Sequence, residues 1–357
     1  MSLLQEILDK LHAARAELQS PGTYEGLHRE ATGIFPVNYM IDGAKFDLTS
    51  IHSQNFQTTH SLEWGSNPQK PASYNFGAMF GTNQMALHGM VDGQGNLRAR
   101  GQYNWIEQTE EQQEQKFSSI SKIQAQLATN SPQSAVVLEQ EITGKDYSIS
   151  LKAVNANPAD VPPSWAPGQP SVTGIFSASY LQSITKSIAL GVEWTLQRPY
   201  PDTIEPATSF AFRYAPPPSA LPLPTTLPAG STESPYQPVN PKDPTEIFTA
   251  TYVPAAGMLH SSYWRKLNQR LEVGTEIQCL LTPFSKGEPG RREAVASIGF
   301  KLDTVYATIR AAVETTGKIA TVLEEKIAPG LSFQLNGEID YAKGGAGRVG
   351  FGFTFEQ

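Results

Sequence analysis

The stretch Arg348-Val349-Gly350-Phe351-Gly352-Phe353-Thr354-Phe355-Glu356-Gln357 decides the fold, because Val349, Phe351, Phe353 and Phe355 share one parity and Arg348, Gly350, Gly352, Thr354 and Glu356 the other. Successive side chains of a strand point to opposite faces, so this is a strand with one apolar stripe and one polar face. Alone, it fits a soluble sandwich as well as the wall of a membrane barrel. The choice between them falls to the rest of the chain, where the pattern recurs at strand length.

Near residue 101, Leu97, Ala99, Gly101, Tyr103 and Trp105 alternate with Arg98, Arg100, Gln102 and Asn104. Near 192, Ile188, Leu190, Val192, Trp194 and Leu196 oppose Gly191, Glu193, Thr195 and Gln197; near 275, Leu271, Val273, Thr275 and Ile277 oppose Glu272, Glu276 and Gln278. About nineteen candidate strands are centred near 43, 59, 77, 88, 101, 119, 138, 149, 178, 192, 210, 249, 261, 275, 297, 309, 321, 335 and 352. Those near 88, 119 and 261 alternate poorly. Short turns such as Asp92-Gly93-Gln94-Gly95 and Lys343-Gly344-Gly345 join them, which predicts a meander of hairpins. Before Val37 the period is helical. Leu4, Ile7, Leu8, Leu11 and Leu18 share one face over 3–19, Ser20-Pro21-Gly22 stops that helix, and Thr23 caps a second one reaching about Ala31. Residues 156–171 and 215–244 hold 15 of the 27 prolines. Proline lacks the N–H that a ladder uses, so both stretches are expected as loops outside the wall.

Composition favours lipid around these strands. Charged residues make up 17% and apolar residues 39%, against roughly 25% and 45–50% in ordinary soluble domains. A barrel in a bilayer is short of both, since its outer wall excludes charge and its inner wall is polar without being a packed core. No run approaches the ~18 apolar residues of a spanning helix, so any crossing is by strands. With sixteen to nineteen strands the interior is too wide for side chains to fill, which leaves a water-filled channel. Tyr103, Trp105, Trp194, Tyr214 and Trp264 read as aromatics of the interface girdles.

Other classes find less support. A net charge of −7 argues against a nucleic-acid or anionic-membrane binder. The single cysteine, Cys279, rules out an internal disulfide framework and reads as an inert apolar residue. The six histidines show no ligand spacing, and no nucleophile motif or phosphate loop is present, so no enzyme, metal site or cofactor is expected. No secretory leader or cleavable presequence is read at the N-terminus. A structural β-scaffold and a soluble lipid-binding barrel stay open on residue pattern alone.

Particular stretches carry a resemblance. Asn38-Tyr39-Met40-Ile41-Asp42-Gly43-Ala44-Lys45-Phe46-Asp47-Leu48-Thr49, then Asn55-Phe56-Gln57-Thr58-Thr59-His60, and Tyr180-Leu181-Gln182-Ser183-Ile184-Thr185 followed by Ala189-Leu190-Gly191-Val192-Glu193 resemble the channel-forming central subunits of the mitochondrial outer-membrane translocase, within the mitochondrial porin superfamily. The resemblance implies an all-β transmembrane barrel of about 19 strands, an antiparallel meander closed by a parallel first and last pair. It divides the chain into an N-terminal helical arm and pore-inserted helix, 1–35, and a barrel, 36–357. It also implies the mitochondrial outer membrane as location. The implied function is a channel passing unfolded mitochondrial precursor polypeptides. Implied partners are those precursors, small single-helix subunits, a receptor subunit, membrane lipids and a second copy of the barrel. A metabolite and ion pore like the voltage-dependent anion channel is the alternative. Arg348, Gly350, Phe351, Phe353 and Phe355 resemble the last-strand signal read by the outer-membrane assembly machinery. Precursor targeting helices are basic, so Asp47, Glu63, Glu193, Glu272, Glu276, Glu338 and Asp340 on the polar parity are expected to guide them. Those carboxylates alternatively brace the wall against the lumenal Arg98, Arg100, Arg270, Arg310 and Arg348.

Overall fold

The computed structural model describes Leu18 and residues 20–66, 72–106, 117–129, 134–157, 173–199, 203–217, 221–222, 236–237, 244–281 and 292–357. The helix expected over 3–19 lies outside them except for Leu18. So do 158–172 and most of 215–244.

The alternating segments form one nineteen-stranded sheet. Its strands are β1 (Gly43–Ser53), β2 (Phe56–Trp64), β3 (Ser73–Gly81), β4 (Met85–Asp92), β5 (Leu97–Asn104), β6 (Ser118–Leu127), β7 (Ala135–Thr143), β8 (Tyr147–Asn157), β9 (Thr173–Ser183) and β10 (Ile188–Arg198). They continue as β11 (Glu205–Tyr214), β12 (Glu246–Val253), β13 (Met258–Lys266), β14 (Leu271–Leu281), β15 (Arg292–Asp303), β16 (Ala307–Glu314), β17 (Lys318–Ala328), β18 (Leu331–Asp340) and β19 (Ala346–Glu356). Each pairs antiparallel with its successor. The sheet closes where β1 meets β19 in parallel, from Gly43 opposite Gly350 to Thr49 opposite Glu356. An eleven-residue strand such as β1 extends about 36 Å and, tilted near 45°, covers about 25 Å of membrane thickness.

Cross-strand partners point to the same side, so one parity can be followed around the ring. Thr354 lies opposite Asp47, Asp47 opposite Ser61, and Ser61 opposite Asn75; from Glu193 the row passes to Ser209, and from Glu276 to Ser297 and Glu314. The other parity presents Val349, Phe351, Phe353 and Phe355, all well exposed, to the outside. Outward charges such as Arg198, Glu246 and Arg265 fall at or beside strand ends, where water is near.

Some expectations change. The second helix is only α1 (Arg29–Thr32), preceded by tight turns from Thr23 and followed by a 3-10 turn, Pro36–Tyr39. Gly26 weakens the helix there, and wall contacts fix the chain instead. Strand structure begins at Gly43 rather than at Val37. Leu221–Pro222 pairs with Tyr236–Gln237 as a minimal ladder inside the proline-rich connection. Trp264 lies opposite Ile247 and Gly274 on the lumenal parity, its indole N–H donating to Glu272 at 3.3 Å, so it belongs to no lipid girdle. Trp194 faces lipid but sits in the middle of β10 rather than at an interface.

Candidate functional site

The lumen holds the chain's own residues 20–42. Pro21 and Gly22 lie at one rim, where the Arg213 guanidinium donates to the Pro21 carbonyl at 3.0 Å and the Ser148 hydroxyl to the Gly22 carbonyl at 2.6 Å. Deeper in, the Tyr24 hydroxyl bonds Ser209 at 2.7 Å, Glu25 pairs with Lys152, and Glu30 lies 3.8 Å from Arg213. His28 Nδ1 meets Ser262 at 2.8 Å and Thr249 at 2.9 Å, and its ring stacks on His260 at 3.9 Å. Beyond α1 the Tyr39 ring lies 3.9 Å under the Arg310 guanidinium. Every wall residue in these contacts is on the polar parity, and the contacts run from β8 to β16. A segment this short reaches so many strands because it lies inside the ring.

Small residues on the lumenal parity make room for it. Tyr24, Leu27, Leu181 and Ala211 form a buried apolar cluster. A Cβ at Gly274 would stand 3.0 Å from Ile34, and one at Gly299 3.1 Å from Phe35. Where the segment enters β1, Asn336 brackets Ile41, accepting from its N–H at 3.2 Å and donating to its carbonyl at 2.8 Å. Gly350 passes beneath that carbonyl, where a Cβ would be only 2.0 Å away. This side of the lumen is therefore packed. On the opposite side, the lumenal face of β5 carries the exposed Arg98 and Arg100.

All seven expected carboxylates lie on the lumenal parity, but they differ in what they touch. Glu338 is buried between Lys318 at 3.1 Å and Arg348 at 2.9 Å. Asp340 caps the turn at Tyr341–Lys343 and lies 3.6 Å from Lys343. Lys45 joins Asp47 at 3.1 Å and Glu63 at 3.9 Å. Glu276 accepts from His260 at 2.6 Å and from Gln278 at 2.7 Å, and Glu193 from Ser209 at 3.3 Å. Arg310 pairs with Glu324 at 2.8 Å. Arg270 is in the turn before β14 and exposed at the rim rather than in the wall. Sequence reasoning missed Glu139 and Glu141, which share Lys122; on their strand, β7, the outward Gln140 and the inward Val137 blur the alternation.

The model of eukaryotic porins matches residues 20–352. The chain belongs to the eukaryotic porin family. This porin is 29% identical to the mitochondrial import receptor subunit TOM40 of Saccharomyces cerevisiae, over 99% of its own length and 83% of that protein's. It is 29% identical to tom40 of Neurospora crassa, over 87% and 75%, and 24% identical to the human TOM40 homologue, over 94% and 78%. The closed wall, the polar lumen and these relatives make the porin a non-enzymatic, multi-pass β-barrel channel of the mitochondrial outer membrane.

Proposed function

We propose that this porin is a protein-conducting channel that passes unfolded mitochondrial precursor polypeptides across the outer membrane. The observation that carries the reading is the end-to-end similarity to proteins named mitochondrial import receptor subunits. In keeping with it, the lumen accommodates some twenty residues of non-strand polypeptide, held by side chains from many strands. Its partners are then precursor polypeptides, small single-helix subunits, a receptor subunit and a second copy of the barrel. Residues 1–35 form the arm and pore-inserted segment, and 36–357 the barrel. Arg348, Gly350, Phe351, Phe353 and Phe355 serve as the assembly signal.

Within this proposal the acidic set divides. Glu338, Asp340 and Asp47, each within 3.6 Å of a lysine or arginine, brace the wall, whereas Glu63 lies farther off, 3.9 Å from Lys45. Glu63, Glu193, Glu272 and Glu276 draw basic targeting helices inward, an attraction that weakens as salt is added. The reading is tested by reconstituting the purified porin in planar bilayers with a basic amphipathic presequence peptide. A large cation-preferring pore, transiently blocked by the peptide, supports it. Anion-selective conductance indifferent to the peptide overturns it in favour of a metabolite pore. Glu63→Gln with Glu272→Gln should shorten the block events; unchanged dwell times would remove the guidance role.

A further inference from the structure

Most lumenal cations of the wall have a carboxylate: Lys45, Lys122, Lys152, Lys301, Arg310 and Arg348 each pair with one. Arg98 and Arg100 pair with none among the described residues, and both are exposed. The register explains their isolation. Asn75, on the lumenal row, lies opposite Asp92 of β4, so Met90 and His88 also face inward, opposite Arg98 and Arg100. On the other flank their partners are Gln126 and Gln124 of β6. Neither neighbouring strand therefore sets a carboxylate across from either guanidinium. Asp92, at the rim beyond Met90, is engaged, accepting from the Gln94 N–H at 2.9 Å, the Asn96 N–H at 2.8 Å and the Asn96 side-chain amide at 2.7 Å. Glu139 and Glu141 are held by Lys122.

The two arginines are two residues apart on one strand, about 7 Å along it. Arg98 is the second residue of β5 and Arg100 the fourth, so the pair leads inward from the rim where β1 begins. An extended polypeptide has the same repeat, which lets carboxylates at alternate positions meet both guanidiniums in one pass. Each guanidinium offers a planar fork that matches a carboxylate bidentately. Because both are exposed to lumenal water, each contact is weak and readily broken, as a conduit requires. Glu272 and Glu276 stand on β14, nine strands away in a ring of nineteen. The acidic wall and the arginine pair thus occupy opposite sides of the pore.

Resting on the polypeptide-channel reading above, we propose that Arg98 and Arg100 form a docking track for acidic stretches of the translocating chain, with carboxylates at positions i and i+2. Such stretches are repelled by Glu272 and Glu276, and the arginine track gives them a separate route. Gln124 and Gln126 flank the track with amides that donate to the same carboxylates.

The test uses the full porin in planar bilayers at low salt with two 16-residue peptides of identical composition, repeating Asp-Ser or Asp-Asp-Ser-Ser. Only the first places carboxylates at i and i+2, so its block events should last about threefold longer, the worth of one more exposed ion pair. Arg98→Gln with Arg100→Gln should shorten those events about tenfold, the loss of two such pairs. Lys301→Gln with Lys326→Gln, which removes the same charge from the far wall, should change them less than twofold. Each variant is first checked for the heat-modifiable gel shift of a closed barrel. Equal dwell times for the two peptides, or for the arginine variant and the parent, would overturn the track, as would an equal effect of the two double variants. Arginine-dependent block by inorganic tripolyphosphate without block by either acidic peptide would replace it with a small-polyanion site. A basic presequence peptide serves as the reference. If it blocks and the acidic peptides do not, the track alone fails; if no peptide blocks, the polypeptide-channel reading fails as well.

Discussion

Replacing Gly350 by alanine tests the crossing of Ile41 over the last strand. The new Cβ would lie 2.0 Å from the Ile41 carbonyl oxygen and 2.8 Å from its carbon. The segment must therefore retreat by at least ~1 Å, because interiors at native density leave no slack to absorb the overlap. That retreat breaks both hydrogen bonds between Asn336 and Ile41. Asn336 is only 2% exposed, so its amide is left bare, and the two lost bonds with the stranded groups cost about 2–5 kcal/mol. Two neighbours calibrate the result. A Cβ at Gly352 meets only the flexible Ile41 Cδ1 at 2.6 Å, and one at Gly347 finds ordinary contact at 3.6 Å, so the expected costs are under ~1 kcal/mol and about zero. Refolding each variant into detergent without assembly factors isolates this contact from any targeting role of the same glycine. The midpoint of heat modifiability should fall in the order Gly347→Ala, Gly352→Ala, Gly350→Ala. Equal midpoints for the last two, or a Gly350→Ala barrel that melts with the parent, would refute the crossing.

Three further outcomes follow from the lumen and the wall. His28→Ala removes the hydrogen bonds to Ser262 and Thr249 and the stack on His260 that seat the inner segment, and should raise the gating noise of the pore in planar bilayers, whereas a trace as quiet as the parent's would show that these contacts do not hold the segment. Glu338→Gln leaves Lys318 and Arg348 without their shared carboxylate and should destabilise the barrel by about 1–3 kcal/mol in urea titrations, less than a fully buried pair because Arg348 is exposed. In single-tryptophan variants, lipids brominated deep in the acyl chain should quench Trp194 strongly and leave Trp264 nearly unaffected.

The wall was legible because its signal is local. Each strand centre expected from alternation falls within an observed strand, including the weak ones near 88, 119 and 261. Parity also placed Asp47, Glu193 and Glu276 in the lumen without knowledge of any partner. Depth and long-range contact were not legible. Trp194 reads the same in the middle of a strand as at an interface, since alternation reports a face and not a height. Trp264 misled because Met258, His260, Ser262 and Trp264 differ little in polarity from Leu259, Ser261, Tyr263 and Arg265, so aromatic identity outweighed parity. The seat of the inner segment rests on Gly191, Ala211, Gly274 and Gly299, which are far apart in sequence. On a face taken as wet, small residues signal packing only once the ring has brought them together.

Nineteen is an odd number of crossings, and by itself it would put the residue before β1 and the residue after β19 on opposite sides of the membrane. The lumenal segment reverses that outcome. It enters beside Ser148 and Arg213, at the rim where β19 ends, and reaches β1 at the other rim. The polypeptide thus makes a twentieth passage through the hole formed by the other nineteen. Ser20 and Gln357 consequently face the same compartment, and a tag fused at either position should be cleaved by protease added from the same side of a sealed vesicle.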